Sequence, residues 1–380
     1  MRILYVATDQ IVPGTLGGSV HVQAVAEGLA ALGHEVHVVA RRRAGLLSDR
    51  VVWHGMGTPG GRPHFRLLRA RAVRRLAERV RPDVVIERYH NFGGEGVLAG
   101  RAMGARVVLE VNAPIVDHPG SRKAGLDRLL IVRPMRRWRA WQVAHTHLIV
   151  TPSAAIVPTD VDANRILELE WGADTTRFRP DAPGAPLWRR EPGTIVAVFA
   201  GAFRAWHGAV HLVEAIKRVH MRGRHEFRAV LIGDGPERDA AERAAERSPA
   251  IVFAGTLPHE AMPAALAAAD IGVAPFDVTR HSPLSLGFYW SPLKIFEYMA
   301  SGLPIVAPAL PRLRALVADG SEGVLYEPPT PEALADALIA LHDAGRRRAL
   351  GAAARERAVR EYSWQAHCRA LDAAMHRLLP

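Results

Sequence analysis

The residues with the clearest chemical content lie in Ser291-Pro-Leu-Lys-Ile-Phe-Glu-Tyr-Met-Ala-Ser-Gly-Leu-Pro-Ile-Val-Ala307. Pro292 suits the first turn of a helix, where its missing N–H costs little. The spacing predicts a helix over 293–300, with Leu293, Phe296 and Ala300 on one side and Lys294, Glu297 and Tyr298 nearer the other. Gly302 ends it, Pro304 forbids its continuation, and Ile305-Val306-Ala307 reads as a buried strand. A helix N-terminus offers unpaired N–H groups and positive partial charge, so it attracts anions. Lys294 adds a full cation at the end of the helix that disfavours one, and an anion would offset it. Glu297, one turn on, can accept two hydrogen bonds from a diol such as a ribose presents. Phosphates at the helix start and a diol at the carboxylate describe a nucleoside diphosphate. On spacing alone, an ordinary surface helix with a solvated Lys and Glu fits equally well.

The elements around this stretch repeat a strand–turn–helix pattern. Arg2 to Thr8 reads as a buried strand, followed by Pro13-Gly-Thr-Leu-Gly-Gly-Ser19, a helix to Leu32 and a strand at 34–39. Gly17, Gly18 and Ser19 thus stand at a helix N-terminus, where the glycines let a ligand approach the backbone. The Gly-x-Gly-x-x-Gly fingerprint is absent, and Arg41-Arg-Arg43 stands where an acid would follow the second strand, which argues against NAD. Residues 51–61 read as irregular, and 64–80 as a helix with Arg66, Arg69, Arg71, Arg74, Arg75 and Arg79 on its outer face. A strand and loop are expected at 82–90, strands at 106–111, 147–151 and 165–170, and a proline- and glycine-rich linker at 181–193. The design then repeats, with strands at 194–200, 251–256 and 270–276, a strand plus turn at 229–236, a turn at 201–208 and helices between. The result is an α/β chain of two doubly wound domains, 1–180 and 190–364.

Composition narrows the class. At 380 residues there is room for two cores, and no apolar run approaches the ~18–20 residues of a membrane span. Cys368 is the only cysteine, which excludes disulfides and cysteine metal sites; with no signal-peptide layout, a cytoplasmic protein is expected. Residues 1–180 hold 26 Lys and Arg against 16 Asp and Glu, a net of +10 out of the chain's +11. A basic half suits an anionic acceptor or a membrane surface, and without a nucleic-acid motif no nucleic-acid partner is expected. Segment 119–142 mixes Trp138, Trp141 and several Leu with Arg136, Arg137 and Arg139, around Pro134. An interfacial helix fits this, giving peripheral contact at the inner face of a membrane; a core-facing helix with an arginine-rich outside fits better. Asp160-Val-Asp162 precedes a helix start and reads as a cap, so no metal site is expected.

Ser291-Pro-Leu-Lys-x-x-Glu-Tyr-Met-Ala-x-Gly-x-Pro304 resembles the donor-site motif of retaining glycosyltransferases of the family 4 (group 1) type. The chain is similar to that family strongly over 194–364 and more weakly over 1–180, where Glu87-Arg-Tyr-His90, Glu110-Val-Asn-Ala-Pro114 and Trp171-Gly-Ala-Asp174 carry the likeness. The resemblance implies the GT-B fold, two Rossmann-like domains facing across a cleft, with the last helix, 365–380, returning to the first. It implies a UDP- or GDP-type sugar donor, no cofactor and no metal. Arg204, His207 and Lys294 would neutralise the leaving diphosphate, Thr256 and Leu257 would meet the base, and Ser291, Pro292, Leu293 and Glu297 would hold the nucleotide. The acceptor would be a small molecule, a glycan or a lipid-linked sugar. Three places depart from the family pattern: Ala202 and His207 where Arg and Lys are usual, Tyr289 for the first of two glutamates, and Asn112 for a histidine near the reacting sugar. These departures leave open a sugar-nucleotide epimerase on the same scaffold, or a binding relative without turnover.

Overall fold

The computed structural model describes residues 1–380 except 15, 46, 118–131, 185–187, 189–190 and 380, and only the backbone at 282–283. The chain forms two units, one made of 1–171, 289–291 and 364–380, the other of 172–288 and 292–363.

In the first unit, seven parallel strands lie in the order β3-β2-β1-β4-β5-β6-β7. They are β1 (Arg2–Val12), β2 (Glu35–Arg42), β3 (Val51–Gly55), β4 (Val84–Arg88), β5 (Arg106–Glu110), β6 (Leu148–Thr151) and β7 (Ile166–Glu168). Residues Ile3 to Ala7 are entirely buried, as a parallel strand covered on both faces must be. Helices α1 (Gly17–Ala31), α2 (Ala70–Val80), α3 (Glu95–Met103) and α4 (Val132–Ala144) belong to the same unit. The irregular reading of 51–61 is overturned at its start, because Val51 to Gly55 pair in parallel with β2 as an edge strand. Only Val51 of that strand is buried, so its alternation is too weak to read from sequence. The helix expected over 64–80 is also divided, with 3-10 geometry at Pro63–Arg69 before α2.

The second unit has six parallel strands in the order β10-β9-β8-β11-β12-β13. They are β8 (Ile195–Ala200), β9 (Phe227–Ile232), β10 (Ile251–Gly255), β11 (Ile271–Val273), β12 (Ile305–Pro308) and β13 (Gly323–Tyr326). Its helices are α5 (Ala209–Met221), α6 (Arg238–Ala245), α7 (Met262–Ala267), α8 (Leu293–Ala300), α9 (Pro311–Leu316), α10 (Pro331–Ile339) and α11 (Ala344–Arg360). Leu212, Val213, Ile216 and Val219 of α5 pack with Phe199, Leu231 and Val273 in one buried cluster. The two chain ends of this unit meet, since Ala173 donates its N–H to the Tyr362 carbonyl at 2.7 Å. The last helix, α12 (Trp364–His376), belongs to the first unit, where it packs on α1. There Gly28 is required, because a Cβ on it would collide with the Cys368 sulfur.

Candidate functional site

Strands β8 and β11 are neighbours whose further partners run outward in opposite directions. Loops leaving their C-terminal ends therefore diverge, and open α/β sheets take ligands at such a switch point. The turn 201–208 follows β8, and the segment leading into α8 follows β11. Gly201 has φ +143°, and a Cβ there would lie 2.9 Å from the Lys294 Nζ. Tyr298, wholly buried one turn after Lys294, accepts a hydrogen bond from the Ala200 N–H at 2.7 Å. That bond pins α8 to the end of β8 and so sets the position of Lys294. The Lys294 Nζ lies over the Phe199 ring at 4.2 Å and 5.3 Å from that of Phe276. It is shielded from solvent and has no hydrogen-bond acceptor among the described residues. Burial lowers it to about 7, with Glu297 opposing. A buried ammonium without an acceptor is costly unless an anion completes it. Residues Ile295 to Ala300 are all buried, so a solvated surface helix does not describe α8, and Tyr298 is a core residue rather than part of a polar side.

His207 differs from the cationic role expected of it. Its Nδ1 hydrogen-bonds the Ala202 carbonyl, and burial, reinforced by Lys294, pushes it down to about 2. It is neutral and offers hydrogen bonds, not charge. Arg204 is exposed and forms no ion pair among the described residues. Glu297 is buried, and the His259 Nε2 faces its Oε1 at 3.6 Å, beyond hydrogen-bond reach. The His259 Nε2 has no hydrogen-bond partner among the described residues either, so the loop after β10 brings an imidazole to Glu297 without closing on it. Thr256 is exposed and Leu257 half-buried at the start of that loop. Pro292 is buried and Leu293 half-buried at the start of α8. Arg204, His207, Lys294 and Glu297 thus gather around one switch point. Ser291 and Tyr289 fall in the first unit. The Ser291 hydroxyl donates to Glu170 at 2.7 Å and accepts from the Trp171 N–H at 2.8 Å. Tyr289 is buried, and burial raises its hydroxyl to about 12.

The first unit has its own switch point, between β1 and β4. Gly17, Gly18 and the buried Ser19 open α1 beside it. Two buried polar networks fill the strand ends. Arg66, assigned from sequence to an outer face, is fully buried and pairs with Asp9 (2.7 Å), Glu87 (2.7 Å) and Glu95 (2.8 Å). Gly94 and Gly96 donate N–H bonds to Glu87, whose carboxyl is nevertheless raised by burial and by Glu95. Beside it, Glu110 accepts from Tyr5, Arg88 and Asn112, with the His21 Nδ1 3.4 Å away. The Trp171 Nε1 donates to the Asn112 Oδ1 at 3.0 Å, so both ends of that amide are held. Sequence reasoning found Glu87, Glu110 and Asn112 but missed Tyr5, His21, Arg66 and Glu95.

Much of the 119–142 segment lies outside the described residues. Within the described part, Pro134 is a residue of α4. Arg139 is buried and pairs with Asp117 at 3.1 Å, and Arg136 reaches the same carboxylate at 2.6 Å. The Trp138 Nε1 donates to the Gly93 carbonyl at 2.8 Å. Arg139 is thus held inside the fold, Arg136 and Trp138 are half-buried, and Arg137 is exposed. Asp162 does act as a cap, accepting from the Asn164 N–H at 2.9 Å. No described helix is long and apolar enough to cross a membrane.

Residues 194–344 match the family described as Glycosyl transferases group 1, and residues 16–158 the one described as Glycosyltransferase Family 4. A sulfoquinovosyl transferase of Arabidopsis thaliana is 31% identical over 62% of this chain and 46% of its own length. An MMP alpha-(1->4)-mannosyltransferase of Mycolicibacterium hassiacum is 30% identical over 80% of this chain and 73% of its own. The chain therefore spans about half of the first relative and about three quarters of the second. Among solved structures, HepE of Anabaena in complex with UDP superposes with a TM-score of 0.71 at 16% identity, covering 99% of this chain and 100% of that one.

Proposed function

This chain belongs to the glycosyltransferases of group 1 and family 4, and we propose that it moves a sugar from a nucleoside-diphosphate sugar to an acceptor hydroxyl with retention at the anomeric carbon. The observation that carries the reading is the buried Lys294 ammonium beneath the Gly201 turn, without a hydrogen-bond partner among the described residues. A diphosphate beside it would supply the missing acceptor, and the N–H groups that open α8 would share the charge. As the bond from sugar to phosphate breaks, negative charge grows on the departing oxygen, where Lys294 and Arg204 stabilise it. The departing phosphate takes the acceptor's proton while the new bond forms on the same face, so no protein nucleophile is required. Glu297 holds the ribose diol, Thr256 and Leu257 face the base, and the Gly17-Gly18-Ser19 turn serves the acceptor. UDP bound to HepE supports a nucleotide donor of this kind.

A thermal-shift screen of UDP- and GDP-sugars tests the donor, since a ligand held by the folded state alone raises the melting temperature by mass action. The selected donor is then turned over with candidate acceptors, with and without chelator, and the product's anomeric configuration is read by NMR. Retention without added metal is expected. An inverted product refutes the mechanism, and donor consumed without acceptor to give a changed sugar points to an epimerase.

A further inference from the structure

Three side chains converge in the first unit at a place the donor chemistry does not use. His34 lies in the turn between α1 and β2, and Asp372 and His376 sit one turn apart on one face of α12. The His34 Nε2 is 2.8 Å from the Asp372 Oδ1, and the His376 Nε2 is 3.3 Å from the same oxygen. One donor atom from each of the three lies within 4.8 Å of the others. We propose that His34, Asp372 and His376 form a binding site for a divalent transition-metal ion of the zinc kind.

Two imidazoles and one carboxylate are a donor set that zinc accepts, with bonds of about 2.0–2.2 Å. Tetrahedral angles at those lengths hold ligand atoms roughly 3.3 Å apart. The two separations to Asp372 fall at or just under that spacing, so loading requires only small side-chain adjustments. The His34 side chain is 7% exposed, that of Asp372 23% and that of His376 59%. An ion can therefore enter past His376 and keep a water in its fourth position. The second nitrogen of His34, Nδ1, is 3.3 Å from the Met1 α-amino group. Binding at Nε2 leaves the His34 proton on Nδ1, so that contact is released when the site fills. Hydrogen bonding alone already ties residue 34 to residue 372, and an ion would turn this link into coordinate bonds across a very long loop. Closing a long loop in the folded state stabilises it against unfolding.

The test uses tag-free full-length protein stripped with EDTA and titrated calorimetrically with zinc chloride. One ion per chain and a raised melting temperature are expected, with magnesium giving neither. His376→Gln removes an exposed ligand and should leave the circular dichroism spectrum unchanged. It should weaken zinc binding by more than about 10-fold, since losing even an outer partner of a zinc ligand has an effect of that size. Asp372→Asn should do the same. Unchanged affinity in both variants would overturn the proposal, because the ion would then sit among other histidines. No zinc binding to the unaltered protein at about 100 µM, far above the Kd needed for measurable stabilisation, would overturn it too and leave a hydrogen-bonded staple.

Discussion

Replacing Lys294 with methionine should make the unliganded protein more stable and the nucleotide complex weaker. Burial lowers the Lys294 ammonium from 10.5 to about 7. At about 1.4 kcal/mol per pH unit, holding the charge inside costs on the order of 5 kcal/mol. The unfolded chain keeps this proton up to about pH 10.5, the folded one only up to about 7. Between those values the unfolded state binds more protons, so stability rises with pH across the window. Lys294→Met, which cannot be charged, should therefore gain a few kcal/mol at pH 7 and below, and almost nothing near pH 10. Binding runs the other way, because a diphosphate beside Nζ restores the charged form. About half a proton should be taken up at pH 7 and nearly one at pH 9, with the Kd for UDP or GDP rising about tenfold per pH unit above roughly pH 8. The phosphate's own ionisation, near pH 6, lies below this range. Calorimetry in two buffers of different ionisation enthalpy reads the proton count, and urea unfolding at pH 6.5 and 10 reads the stability difference. A flat Kd with no proton uptake, or a Lys294→Met protein no more stable than the parent at pH 6.5, would refute the reasoning.

Glu297→Ala should weaken nucleoside-diphosphate binding roughly 10- to 100-fold, the loss of a charge-assisted hydrogen bond of about 1.5–3 kcal/mol, while the fold stays intact; calorimetry decides it. Arg204→Ala should lower kcat more than donor affinity, since charge grows on the diphosphate only as the bond breaks, and steady-state kinetics separate the two. Arg66→Met leaves Asp9, Glu87 and Glu95 without their common cation and should cost about 3–5 kcal/mol in urea unfolding, whereas exposed Arg71→Ala should stay within about 0.5 kcal/mol. If the basic first unit meets an anionic membrane, the exposed Arg71, Arg74 and Arg75 of α2 are, with Arg137 of α4, among the residues able to carry it. Changing the three of α2 to Gln should then reduce cosedimentation with anionic vesicles at low salt by about 1 kcal/mol per residue, and equal binding to neutral vesicles would exclude it.

The repeated strand–turn–helix rhythm made the middle of both sheets legible from sequence, because buried parallel strands are short apolar runs set between glycine turns, but the edge strands β3 and β13 were not read. The bounds of α8 follow from Pro292 and Gly302, residues whose backbone restrictions act locally. What stayed hidden depends on long-range contacts. Arg66 follows the spacing of its exposed arginine neighbours, and only its meeting with Asp9, Glu87 and Glu95 shows that it faces inward. Arg139 similarly follows the spacing of surface charge, and only Asp117 opposite it shows that it is held inside. Tyr298 sits beside Glu297 on a helical wheel, yet its hydroxyl is consumed by the end of β8, a partner nearly a hundred residues away. His207 keeps the position of a cation and loses the charge, through a desolvation that no motif records.

The second unit begins and ends at one place, with Ala173 bonded to Tyr362, so apart from residues 289–291 its whole span is inserted within the first. On the ribosome, residues 172–363 therefore emerge before Trp364–His376, the helix that packs on α1 with Cys368 against Gly28. Domains generally fold as units while the chain is being made, N-terminal ones first. Here the first unit must wait with an apolar helix face uncovered until its last segment arrives, and that interval is when a chaperone would find it. The half that is synthesised first is the half that is finished last.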